Sequence, residues 1–265
     1  MNSKDNYVTG GGGHLEPYTT SESITTAQRL KLELDSYRPF SREVIENLRA
    51  YLLVEWTFNS NAIEGNTLTR TETKVVLEDG ITIGGKTVRE HFEAINHKEA
   101  ILLLEELVRR EEELSERVIK NLHGLILRGI DSQNAGVYRR QNVLISGADH
   151  IPPDHVVVPE RMERLLQWYQ DEGSTLHPLV RASILHSDFL KIHPFIDGNG
   201  RTARLLMNLD LMQSGYPPVI IPNDQRVPYY DALDRSHVTG DYHDMVELVS
   251  RLAVDSLRFY LKFVK

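Results

Sequence analysis

His193-Pro194-Phe195-Ile196-Asp197-Gly198-Asn199-Gly200-Arg201-Thr202-Ala203-Arg204 is the stretch on which the reading of this chain turns. The residues before it, Val180 to Ile192, repeat their apolar members at helical spacing, and so do those after it, from Arg201 to about Ser214. Between the two runs, Gly198 and Gly200 allow a tight reversal that side chains would resist. A rival reading takes Gly198-x-Gly200-x-x-Ala203 as a dinucleotide fingerprint, with Val219-Ile220-Ile221 and Asp224 as the next strand and its acid. That fingerprint needs an apolar strand running unbroken into its first glycine, whereas Pro194 and Asp197 interrupt this one. No further parallel-strand candidates exist along the chain. The turn therefore joins two helices, and the expected class is all-α with a single β-hairpin and additional N-terminal helices.

Working outward, Ser41 is an N-cap for a helix carrying Val44, Leu48, Tyr51, Leu52 and Glu55, expected to end near Asn59. Thr69-x-x-Glu72 has capping-box spacing and opens a short helix that the Gly80 and Gly84-Gly85 region closes. An amphipathic stretch from Thr87 to Glu113 carries Phe92, Ile95, Leu102, Leu103 and Leu107, and Ser115 starts another with Val118, Ile119, Leu122, Leu125 and Ile126. Val143-Leu144-Ile145 and Val156-Val157-Val158 flank the turn-rich Ser146 to Asp154 and predict one β-hairpin. Helices resume over 159–169, 179–192, 201–214, 229–238 and from Tyr242 onward. Residues 1–20, with glycines at 10–13 and Pro17, read as a flexible tail. The remainder divides into an N-terminal helical region at 21–113, a core at 114–250 and the end of a C-terminal helix at 251–265.

Composition narrows the function. A chain of 265 residues with 40% hydrophobic content buries one large core. A formal net charge of -8 with interspersed Lys and Arg excludes a nucleic-acid binder, and no window reaches the length of a membrane span. The opening residues lack an apolar signal stretch, so a cytoplasmic address is expected. The absence of cysteine excludes disulfides, thiol nucleophiles and thiolate metal sites, leaving oxygen or imidazole as metal donors.

Each residue of the 193–204 stretch has a job if the substrate is a polyphosphate. The glycine turn lets backbone N–H groups converge, and the following helix adds the positive end of its dipole, making an anion cradle. Arg201 and Arg204 share one helix face and can both reach phosphate oxygens. Asp197 offers the hard oxygen that Mg2+ takes when it also binds substrate phosphates. His193 can accept a proton from an attacking hydroxyl near neutral pH, and Phe195 should anchor the loop in the core. Taken singly, each has a bland reading as loop residue or solvated helix face; their density at one helix start favours a site.

The pattern His186-x-x-Phe189-x-x-Ile192-His193-Pro194-Phe195-x-Asp197-Gly198-Asn199-Gly200-Arg201-x-x-Arg204 resembles the signature of Fic-domain proteins. Gly136-x-Tyr138-Arg139, His150-x-Pro152-Pro153 and Tyr229-Tyr230 resemble the family as well, over roughly residues 40 to 250. The resemblance implies a helical domain whose hairpin, the flap, aligns a target segment through Val143, Leu144 and Ile145 by strand addition. It implies transfer of AMP from Mg-ATP to a protein Ser, Thr or Tyr hydroxyl. His193 would be the general base and Asp197 the Mg2+ ligand. Gly198, Asn199, Gly200 and Arg201 would bind the phosphates, Arg204 would take the γ-phosphate, and Tyr229 and Tyr230 would sit by the adenine.

Ser60-Asn61-Ala62-Ile63-Glu64-Gly65 resembles the inhibitory motif of the same family, with Ser60, Glu64 and Gly65 at its defining positions. Glu64 would pair with Arg204 and fill the γ-phosphate position, leaving ATP in a pose unsuited to attack. By itself the string is also a capped helical turn ending at glycine. Other readings remain open: removal of AMP by water that Glu64 activates, a different phosphate donor, or an interaction module without turnover. The expected partner is a protein substrate on the flap, and a homodimer fits the apolar positions of the long helices.

Overall fold

The computed structural model describes residues 21–265; the tail expected over 1–20 lies outside the described residues. The described residues contain ten α-helices: α1 (Glu22–Asp35), α2 (Arg42–Ile63), α3 (Arg70–Asp79), α4 (Val88–Arg109), α5 (Glu116–Ile126), α6 (Val158–Gln170), α7 (Pro178–Ile192), α8 (Asn199–Gln213), α9 (Arg226–Thr239) and α10 (His243–Val264). None of them is long and apolar enough to cross a membrane.

The centre is the pair α7 and α8. From Leu179 to Ile192 nearly every residue of α7 is buried, and α8 is buried from Arg201 to Leu211. A helix apolar on all sides must be enclosed by others. Accordingly α4 and α5 cover α8, α6, α9 and α10 cover α7, and α1 packs on α10. The α7–α8 connection, residues 193–198, thus emerges from the best-packed part of the molecule, which is how a short loop can be held rigidly.

Local signals place several helix starts where the sequence reading puts them. Thr69 and Thr87 each close a capping box, with Glu72 and Glu90, at the starts of α3 and α4. Ser41 and Ser115 cap α2 and α5, and Gly80 ends α3 in the left-handed conformation. Three boundaries differ. The chain is already helical before Ser41, as α1, capped by Ser21 and burying Ile24, Ala27, Leu30 and Leu34. α2 does not stop near Asn59 but continues to Ile63, and Gly65 at φ 95° then turns the chain. α8 starts at Asn199 rather than Arg201, its N-cap Gly198 at φ 76°.

The predicted β-hairpin is absent: no strand occurs among the described residues. Val143, Leu144 and Ile145 lie in an irregular excursion, and Val156-Val157 form a short 3₁₀ turn, His155–Val157, that leads into α6 at Val158. Asp154 accepts from the Val156 N–H at 3.0 Å and Pro159 sits in the first turn of α6, two helix-start signals that outweigh the β-branched triplet. Without a backbone ladder, the excursion is closed at its base by side chains. Asn142 donates to Asp154 at 3.0 Å and accepts from the His155 N–H at 2.8 Å.

Candidate active site

His193 is the last word of α7. Its N–H closes on the Phe189 carbonyl at 3.0 Å, while its backbone sits at φ 51°, ψ 60°, a left-handed conformation that costs a non-glycine residue on the order of 1 kcal/mol. Pro194 then forbids helix continuation. Two bonds from one buried side chain and backbone hold this reversal: Arg139 donates from Nε to the His193 carbonyl at 2.9 Å, and from its N–H to the Pro194 carbonyl at 2.9 Å. Burial pushes the His193 imidazole down to about 4, with the Leu190 carbonyl opposing and the Arg139 charge reinforcing that shift. The ring is neutral at pH 7, the form that can take up a proton. Its Nδ1 is buried with no hydrogen-bond partner.

The loop beyond it is braced from inside. Phe195 is fully buried and stacks on His123 of α5, ring centroids 3.5 Å apart and nearly parallel. His123 uses both nitrogens: Nδ1 accepts from Gly136 N–H at 2.9 Å, which leaves Nε2 to donate to the Asp197 carbonyl at 2.9 Å. Asn199 accepts from Phe195 N–H and donates to Phe195 carbonyl, both at 2.9 Å. Its side chain is therefore spent on the loop rather than turned toward a ligand. At Gly198, already at a φ that favours glycine, a Cβ would also make tight contacts at 3.1 Å with Ile126 and 3.3 Å with His123.

The turn delivers the groups the sequence reading brings together. Asp197 accepts from Gly198 N–H at 2.6 Å through one oxygen, which also lies 3.4 Å from Arg201, while its other oxygen pairs with Arg89 of α4. Its carboxyl is held below the usual range: burial opposes ionisation, and the Arg201 and Arg89 charges with the Gly198 N–H overcome that. Arg201 is 2% exposed, yet its Nε and Nη1 have no hydrogen-bond acceptor; Glu93 lies 3.5 Å from Nη1. A buried guanidinium with donors to spare beside a helix N-terminus is suited to accept an anion. As for a metal, no cluster of three or more carboxylate or imidazole ligands exists among the described residues. Asp197 alone, half-buried and ionised, fits a cation that brings most of its oxygens from phosphate.

Arg204 is where α2 meets the site. Its Nε donates to Ser60 Oγ at 3.0 Å, and its Nη2 donates to the Ser60 carbonyl at 2.8 Å and to Glu64 Oε1 at 2.7 Å. Although burial disfavours its charge, the Glu64 carboxylate more than compensates and raises it. Glu64 reaches this position because α2 runs one turn past Asn59. Its carboxylate lies so close to Gly200 that a Cβ there would stand 2.1 Å from Oε1. Glu64 thus covers the amino end of α8.

Tyr229 is completely buried, and its hydroxyl meets His186 Nε2 at 3.1 Å and Arg204 Nη1 at 3.4 Å. It supports the guanidinium instead of presenting a face to a base. Tyr230, 39% exposed, donates to the Ile63 carbonyl at 3.3 Å and has surface to offer. Val143, Leu144 and Ile145 belong to the excursion tip, with Leu144 82% exposed. The sequence reading missed Arg89, Glu93, His123 and the bracing role of Arg139. The first three arrive from other helices, and no local spacing marks them.

Fold and turn together define an all-α domain that presents an anion-accepting turn between its two most buried helices. The Fic/DOC family profile matches residues 113–211. The protein adenylyltransferase fic-1 of Caenorhabditis elegans is 37% identical over 213 residues, covering 79% of this chain and 41% of that protein. The protein adenylyltransferase Fic of Drosophila melanogaster is 38% identical over 250 residues, covering 91% and 50%. A solved fragment of C. elegans Fic-1 superposes with a TM-score of 0.82 at 31% identity, over 93% of this chain and 74% of that one. A Fic domain containing signaling protein from Bacteroides thetaiotaomicron gives 0.83 at 28% identity, over 90% and 96%. This chain belongs to the Fic/DOC family, and it spans half or less of the length of these curated relatives.

Proposed function

We propose that this protein transfers AMP from ATP to a hydroxyl of a protein target, and that Glu64 holds the activity down. The observation that carries the reading is Arg201, buried with unpartnered donors at the glycine-opened start of α8, within the same loop as a neutral, buried His193. The names of the adenylyltransferase relatives support it.

In this reading the triphosphate lies along the amino end of α8. The Gly198–Gly200 backbone and Arg201 bind the α- and β-phosphates, and Arg204 takes the γ-phosphate. Mg2+ held by Asp197 would neutralise the phosphate charge. The target Ser, Thr or Tyr oxygen attacks the α-phosphorus, its proton passes to His193, the bond to the bridging oxygen breaks and pyrophosphate leaves. A base so placed contributes roughly a hundred- to ten-thousandfold. Glu64, seated on Arg204 and against Gly200, occupies the ground that the γ-phosphate needs, so a nucleotide bound beside it is misaligned for in-line attack. The excursion at 142–154 would carry the target as an added strand, because Val143 and Leu144 belong to no backbone ladder and Leu144 and Ile151 are exposed.

The test is incorporation of label. Protein and target incubated with α-phosphorus-labelled ATP should become labelled, more strongly with Glu64→Gly and far more weakly with His193→Ala. Labelling from γ-phosphorus-labelled ATP would mean phosphoryl transfer instead. Release of AMP from a pre-modified target, with no labelling, would assign Glu64 to hydrolysis.

A further inference from the structure

The Thr87–Glu90 capping box fixes the first turn of α4 and sets Arg89 against the catalytic loop. Its guanidinium bridges two carboxylates, with Nη2 on Asp197 and Nε on Glu93 at 3.0 Å. Asp197 consequently has no idle oxygen: one takes Gly198 N–H at 2.6 Å and faces Arg201, and the other takes Arg89. A divalent cation on this carboxylate must compete with a cation already there.

The competitors differ in what they can do next. Gly198 and Arg201 belong to the turn itself. Arg89 comes from another helix, its side chain is 55% exposed, and it keeps a second anchor if Asp197 lets go. That anchor is firm. Glu93 is 8% exposed, accepts from Asn66 Nδ2 at 2.9 Å and lies 3.5 Å from Arg201. Asn66 in turn follows Gly65 directly and closes its own N–H on the Asn61 carbonyl at 3.1 Å, so the segment bearing Glu64 also braces Glu93.

We propose that Arg89 is a guanidinium plug on the metal-ligating carboxylate, displaced when a divalent cation arrives with nucleotide phosphates and retained meanwhile by Glu93. With Glu64 on Arg204, the nucleotide-free site is then held at both ends of the triphosphate path by residues of the N-terminal helices. The inference rests on the reading of Asp197 as metal ligand, and its test separates the two.

Mn2+ binding to the full chain, in the presence of a non-hydrolysable α,β-methylene ATP analogue, is titrated by electron paramagnetic resonance for wild type, Arg89→Gln, Asp197→Asn and the double variant. Arg89→Gln should tighten Mn2+ by roughly twofold to fivefold, about 0.4 to 1 kcal/mol, which is within the range of a partly exposed ion pair. Asp197→Asn should abolish the specific binding, and the double variant should bind no better than Asp197→Asn. In metal-free protein the melting temperatures of the four should be non-additive, since the pair exists without the metal. Unchanged or weaker Mn2+ binding in Arg89→Gln, with binding still lost in Asp197→Asn, overturns the plug and leaves the metal ligand standing. Wild-type binding in Asp197→Asn overturns the ligand itself. Tightening that persists in the double variant makes Arg89 a distant charge, and the plug is again wrong.

Discussion

The loop at 193–204 and the excursion at 139–158 meet at Arg139, yet they are built on opposite principles. The first is closed by its own chain and by what lies beneath it: a left-handed His193, glycine at 198, Asn199 bonded across to Phe195, and His123 wedged under Asp197. The second has no backbone ladder. It is tied at the base by Asn142, Asp154 and His155, and further along by Asp149, whose N–H meets Asp234 at 3.0 Å, and His150, whose ring meets the Lys191 carbonyl at 2.8 Å, while Leu144 and Ile151 stand in solvent. A region whose bonds are internal has one conformation with or without ligand. A region held at a few points with no ladder between them opens more readily.

The largest expected effect tests the first half of that contrast. His193→Ala should lower AMP transfer by about two to four orders of magnitude, measured as label incorporated from α-labelled ATP. The far-ultraviolet circular dichroism should not change, because the residues that shape the loop remain. Retained transfer would remove His193 from the chemistry.

Glu64→Gly comes next and acts on the loop alone. A displaced phosphate chain costs about a hundredfold when misplaced by an ångström, so freeing Arg204 should raise self-modification by roughly tenfold to a hundredfold. Gly200→Ala is not equivalent: its methyl would stand on the ground that Glu64 Oε1 holds and that the γ-phosphate needs, so it should dislodge the carboxylate and obstruct the nucleotide together, with no gain in rate. An unchanged rate in Glu64→Gly would leave the Glu64–Arg204 pair a structural one.

Acid should loosen the buried site before it reaches the rest. Burial pushes His193 and His123 down to about 4 and His237 to about 3, and holds His97 and His186 well below the ordinary 6.5. Folded values below unfolded ones mean that the unfolded chain takes up protons first as pH falls. This stability is complete above about 6.5 and is lost progressively toward pH 4. Asp188 runs the other way, raised by burial to about 6, and loses its contribution as pH rises through that value. His150 and His177 are lowered by burial as well, and Asp210 is raised like Asp188; the histidines outweigh the two carboxyls, so the melting temperature should drop by several degrees between pH 7 and pH 5. A flat profile would mean that these rings are hydrated in solution.

How much of this was legible divides along the same line. The loop could be read because its determinants sit within twelve residues: proline after the helix, glycines at the turn, arginines on one face. The capped helix starts at Thr69, Thr87 and Ser115 were readable for the same reason. His123 and Arg89 could not be read, since they lie 74 and 108 residues from the Asp197 they hold, and each has the local appearance of an ordinary helix residue. The hairpin was misread because Val156-Val157-Val158 carries β propensity, while Asp154 and Pro159 impose a helix start on the same residues. Residues 22–35 carry a signal of the same local kind, Ser21 as N-cap and Ile24, Ala27, Leu30 and Leu34 at three- and four-residue spacings, which the sequence reading leaves unused.

Arg139 is the place where the two regions can be uncoupled. Its side chain is 3% exposed and donates to the His193 carbonyl, the Gln141 carbonyl and the Pro153 carbonyl, one bond to the loop and two to the excursion. Arg139→Lys keeps the charge but not the fork, and should cost about 1.5 to 3 kcal/mol in urea unfolding. If the contrast is right, hydrogen exchange should rise at 141–154 far more than at 195–200, where His123 and Asn199 still hold. Equal loosening of both would show that the loop depends on the excursion after all.

The smallest effect on the fold should come from Leu144→Ser. Leu144 is 82% exposed, and a substitution that empties no cavity should alter stability by less than about 0.5 kcal/mol. Its consequence belongs to the target: an apolar side chain at the tip of an unpaired segment gains by burial only when a partner strand lies over it. Leu144→Ser should therefore raise KM for the protein target while leaving kcat and the melting temperature as they were, because the groups that do the chemistry are fixed elsewhere. A fall in kcat with unchanged KM would place Leu144 in the geometry of the loop, and the separation between a preformed site and a segment completed by its target would be lost.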